Sequence, residues 1–118
     1  MAKEAFTNNK RVELYTALFP LLTSMHAEFQ ELSKKKPSDA LNTKKIEIVN
    51  RLLTQVLLIL EDEPSKPFLD LLDVDDVPQN SDVTLILSQF VAAMNAYYEK
   101  YHRHVPGTPG HSWATKDK

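Results

Sequence analysis

Between residues 9 and 35 the apolar positions Leu14, Leu18, Leu22, Met25, Phe29 and Leu32 recur at spacings of four and three, which places them on one face of a helix. Pro20 falls inside this pattern and removes the hydrogen bond to the carbonyl of Thr16. A kink near Phe19 is expected rather than a break, because the periodicity continues across it. Pro37 ends the pattern, and Ser38, Asn42 and Thr43 are candidate caps for the next helix. That helix, expected over residues 39–62, carries one seam at Ile46, Val49, Leu53, Val56 and Leu60 and a second row at Ile48, Leu52, Leu57 and Ile59, so apolar side chains take more than half of its circumference. Its polar stripe, Glu47, Arg51, Thr54 and Glu61, is interrupted by Leu58. A helix so apolar either runs through the middle of its own bundle or gives its second face to another chain.

Pro64 and Pro67 flank a candidate cap, Ser65, and Phe68, Leu71 and Leu72 suit a short helix over residues 66–73. Beyond Pro78 a last long helix is expected over residues 81–104, capped by Ser81 or Asn80, with Asp82 near the positive end of its macrodipole. Ile86, Phe90, Met94, Tyr97 and Tyr101 form its seam. Residues 106–118 hold two prolines, both glycines and one apolar anchor, Trp113, and read as a flexible tail. The pattern therefore predicts an all-α fold: a small helical bundle of three long helices and one short one, in a single domain of residues 1–105 followed by the tail 106–118. It resembles the pattern of many small bacterial helical proteins of unassigned role, a likeness that carries no function.

Composition sharpens the picture mainly by exclusion. The only glycines are Gly107 and Gly110, so phosphate loops, dinucleotide fingerprints and nucleophile elbows have no residue to build their turns. The chain has no cysteine, which excludes a disulfide framework, a thiolate nucleophile and a cysteine-bound metal. A length of 118 residues with net charge -2 suits one core and argues against a dedicated nucleic-acid binder. The longest apolar run, Val56 to Leu60, is far short of a membrane span of about 20 residues. No signal peptide is evident, and a cytoplasmic location is the default expectation.

Three charged or polar groups of residues could carry chemistry. Asp70, Asp73, Asp75 and Asp76 lie in a region where eight acids face one base, Lys66. A calcium loop read from Asp73 fails, because Pro78 and Thr84 stand where glycine and glutamate are required. Paired-carboxylate catalysis needs a cleft that sets two pKa values apart, and helix ends offer none. A di-iron site needs inward Glu-x-x-His pairs, and Glu99, spaced correctly from His102, leans to the polar side. His102 and His104 would point about 200° apart on a helix, so they read as cations at its negative end. No catalytic, cofactor-binding or metal-ligating residues are assigned, and no enzyme activity or cofactor is expected.

What remains is interaction. Lys34, Lys35, Lys36, Lys44, Lys45 and Arg51 surround the first turn as a basic partner surface, and the four aspartates form an acidic one. Leu52, Leu58, Ile59, Tyr97, Tyr98 and Tyr101 are candidates for self-association. The expected function is a non-enzymatic helical protein–protein interaction module that forms a homodimer. One alternative is a nucleic-acid-associated regulator using the basic turn from Lys34 to Lys45. Another is an acidic inhibitor masking a basic partner, similar in charge and size to acidic helical immunity proteins.

Overall fold

Asn8 opens the first helix, α1 (Asn9–Lys35), by accepting a hydrogen bond from the Arg11 N–H at 2.9 Å. In the computed structural model, which describes residues 5–117, α1 runs without a break through Pro20. Pro20 and Thr16 are both exposed, so water can serve the carbonyl that the proline deprives of a donor. Residues 1–4 of the expected domain and Lys118 of the expected tail lie outside the described residues.

Two rows of side chains define how α1 packs. Tyr15, Leu22 and Phe29 are buried and follow one another at intervals of seven, while Leu18, Met25 and Leu32, at the same interval, are only half-buried. Such a pairing of rows is the pattern of a coiled-coil seam. The helix packs against both α2 (Thr43–Ile59) and α3 (Asn80–Tyr101), and a single core of buried residues joins all three. α3 runs antiparallel to α1, since Ser33 bonds Thr84 at 2.6 Å near one end and Tyr15 stacks on Tyr97 at the other. The molecule is elongated, 52 × 26 × 23 Å.

Helix boundaries differ from expectation where backbone groups find other partners. α2 starts at Thr43, four residues later than expected, with Asn42 as its cap. The preceding residues instead receive the start of α3: the N–H groups of Asn80 and Ser81 donate to the carbonyls of Asp39 and Pro37. These are donors that a helix N-terminus leaves without intrahelical partners. Neither Asn80 nor Ser81 is the cap. Gln79 holds that position, its N–H bonded to the Asp82 carboxylate at 2.9 Å. The buried side chain of Asn80 donates to the Lys36 carbonyl at the end of α1.

The short helix expected over 66–73 does not form. Two single 3₁₀ turns, Lys66–Phe68 and Val74–Asp76, bracket an extended stretch. The cause is Asn50: its amide donates to the Leu72 carbonyl and its oxygen accepts from the Leu72 N–H, both at 2.8 Å, so it pairs with Leu72 as a neighbouring strand would. That holds Leu72 extended and drives its side chain into the core.

Residues 106–117 are not a free tail. α3 ends at Tyr101, not near 104, and β1 (His102–His104) pairs antiparallel with β2 (His111–Trp113), so the fold is predominantly helical with a small two-stranded sheet. Gly107 and Gly110, with φ of 89° and 64°, supply the left-handed backbone of the connecting turn. The chain then returns to its start: Thr7 donates to the Ala114 carbonyl and accepts from the Lys116 N–H, each at 2.9 Å. Trp113 meets Tyr15, Tyr97, Tyr98 and His102 with ring centroids 5.2–5.9 Å apart. Burial of this apolar anchor is what folds the hairpin down.

Two expected outcomes follow. Val77 is a β-branched residue in the left-handed region (φ 50°, ψ 65°), which costs an L-residue roughly 1–2 kcal/mol, against about 0.5–1 kcal/mol of chain entropy that glycine would add. Urea unfolding of Val77→Gly should show a gain of about 0.5–1 kcal/mol. Burial pushes the Tyr15 hydroxyl up to about 12, raises Tyr97, and raises Tyr101, to which the Glu63 carboxylate adds by accepting its hydrogen bond. The folded state then keeps protons that the unfolded chain releases near pH 10, so stability is full below about pH 9 and falls between about 10 and 12. A melting temperature flat across that interval would contradict this assignment.

Candidate functional site

The half-buried row of α1 faces a groove that the other described residues leave open. Leu18, Leu21, Met25, Phe29 and Leu32 form one wall, and Ile48, Val49 and Leu52 of α2 form the other, around a cavity of about 710 Å³. Leu21 is 57% exposed and Ile48 39%. The groove exists because α2 is apolar on more than one side. Its seam of Ile46, Val49, Leu53 and Val56 enters the core beside α1, while the second row, led by Ile48 and Leu52, lies at the edge of the contact. α2 is therefore not the middle helix; α1 is, touching both neighbours.

The rim is polar, with two cations against one anion: Lys45 and Arg51 project from α2, Glu28 and Ser24 from α1, with Gln55 towards one end. Of the expected basic surface, only Lys45 and Arg51 line the groove. Lys34 and Lys35 occupy the last turn of α1, Lys36 caps it, and Lys44 stands in the first turn of α2; all six basic residues are exposed. Lys34 pairs with Glu31 at 3.3 Å. Lysines suit the end of α1 but oppose the positive end of the α2 macrodipole, where no acidic residue offsets Lys44 and Lys45.

The expected acidic surface is exposed throughout. Asp73 accepts from the Asp75 N–H at 2.9 Å and so holds the second 3₁₀ turn, and among the described residues none of Asp70, Asp73, Asp75 and Asp76 forms an ion pair. They lie on the far flank of α2 from the groove.

The self-association candidates divide. Leu52 lines the groove, and Leu58 is exposed on the outer flank of α2. Ile59, Tyr97 and Tyr101 are core residues and cannot meet a partner. Ile59 is closed in because Arg11 binds Asp62 at 2.9 Å and Tyr101 donates to Glu63 at 2.7 Å, drawing the end of α2 against both other helices. Tyr97 bonds Thr7 within the aromatic end. Tyr98 is exposed but stacks on His102 at 4.6 Å. His102 and His104 stand on a strand rather than a helix, with His104 opposite His111; among the described residues no three His, Asp or Glu groups converge as a metal site. Also among the described residues, no helix is long and apolar enough to cross a membrane.

Sequence reasoning missed Leu21, Met25 and Ile48 as site residues. Their signal was the spacing itself, which marks a face without saying whether anything covers it. Comparison with protein-family models, with curated proteins and with solved structures returned no match.

Because Lys44 opposes the helix dipole without lining the groove, Lys44→Glu should stabilise the chain by about 0.5 kcal/mol, roughly 2 °C in melting temperature. The gain should shrink in high salt, and its absence at low ionic strength would show that the dipole is already offset.

Proposed function

We propose that this chain is a non-enzymatic helical protein–protein interaction module that self-associates through the groove between α1 and α2. The observation that carries the reading is the half-buried row Leu18, Met25 and Leu32 facing Ile48 and Leu52 across an open cavity. It is a coiled-coil seam with one row closed and the other covered only in part. The groove favours a protein over a nucleic acid: its one aromatic, Phe29, is buried, and the aromatic cluster lies at the other end of α1, around Tyr15.

The double variant Leu21→Glu, Ile48→Glu tests it. Each apolar side chain newly buried in an interface contributes about 1.5 kcal/mol or more, so the pair should weaken association about 100-fold while helicity and melting stay near those of the parent. Sedimentation equilibrium from micromolar to hundreds of micromolar measures this. A parent chain that remains monomeric over that range removes the reading.

A further inference from the structure

The segment from Phe68 to Val77 carries an outward apolar row. Phe68, Leu71, Val74 and Val77 are all exposed, Phe68 to 75%, and they fall at every third position. Asp70, Asp73 and Asp76 recur at the same interval between them, with Asp75 beside them, all exposed. The alternate residue Leu72 turns inward and is held by the paired hydrogen bonds of Asn50. The segment is thus anchored through its inner side while it presents apolar groups flanked by carboxylates to solvent.

The groove is its complement, an apolar floor with Lys45 and Arg51 on the rim and Glu28 as the one opposing charge. Within one chain the two cannot meet. Thr43, Ile46, Glu47, Asn50 and Thr54 face the cavity under Leu72 and Val74, whereas Lys45, Ile48, Leu52 and Gln55 face the groove, and Arg51 stands between them and borders both. At about 100° per residue the two sets point roughly opposite ways from α2.

We infer that the groove receives the segment 68–77 of a second copy, with Phe68 as the apolar anchor and the aspartates set against Lys45 and Arg51. This rests on reading the groove as an interaction site and names its occupant. The contact joins different surfaces of the two copies, so each dimer keeps one open groove and one open segment, and assembly continues into a ring or an open chain.

Two one-sided variants test this in solution. One reverses the groove rim, Lys45→Glu with Arg51→Glu; the other alters the segment, Phe68→Ser with Asp70→Lys and Asp76→Lys, leaving Asp73 to hold its turn. All these positions are exposed, and circular dichroism checks each fold. Each variant alone should lose at least about tenfold in association constant. Mixed in equal amounts they should form a heterodimer, because one supplies the intact segment and the other the intact groove; the two altered surfaces, matched in charge but lacking the Phe68 anchor, extend it only weakly. Sedimentation velocity reads both results. If the parent associates and the segment variant alone associates just as tightly, the copies pack groove to groove: the segment is overturned as occupant while the interaction reading stands. If the parent is monomeric throughout, both fall. Phe68→Ser alone is the control should the triple variant fail to fold, and unchanged self-association of that variant overturns the inference by itself.

Discussion

Everything in this molecule depends on one helix having to serve two neighbours. α1 offers two rows of apolar side chains at intervals of seven. The row of Tyr15, Leu22 and Phe29 is closed in the core, where each side chain contributes about 1.5–3 kcal/mol by leaving water. The other row is shared with α2 and closed only in part. A two-row helix with two partners would be complete if α2 spent its whole apolar surface on the contact. It does not, and the groove is the remainder.

Buried polar groups, more than helix propensity, decide how the helices are connected. Asn50 and Asn80 each satisfy backbone that has left water: Asn50 pairs with both polar groups of Leu72, and Asn80 closes the end of α1 through the Lys36 carbonyl. Such bonds add only about 0.5–1.5 kcal/mol each when made, but a buried group left without one costs about 1–3 kcal/mol. That asymmetry makes the stretch after Phe68 extended, although Phe68, Leu71 and Leu72 have helical spacing. Once Leu72 is held as a strand, the residues on either side expose the apolar groups that a helix would have hidden.

The three helices were legible because their periodicity is long and their caps are explicit, as with Asn42 before α2. The hairpin was not, because strands of three residues carry too little alternation to read, and glycines beside prolines mark a tight turn and a disordered tail alike. The site was half legible. Leu52, Lys45 and Arg51 were singled out and do line the groove, but spacing cannot say which of two apolar rows a neighbour will cover. Ile59, Tyr97 and Tyr101 show the same limit in reverse: each looked like surplus surface and each is closed by a contact made far along the chain, such as the bond between Tyr101 and Glu63.

The returning hairpin also bears on the order in which the chain organises. Asn9 and Asp117 are bonded across 108 residues, while α1 meets α3 across 51 at Ser33 and Thr84. Closing so large a ring costs conformational entropy that no local contact repays in advance, so this end assembles after the helices have met. Contacts that form after the folding barrier slow unfolding rather than speed folding. The bridge from Thr7 to Thr115, with Trp113 laid over the tyrosines, is therefore a kinetic latch: it sets how long the folded chain persists more than how fast it arrives.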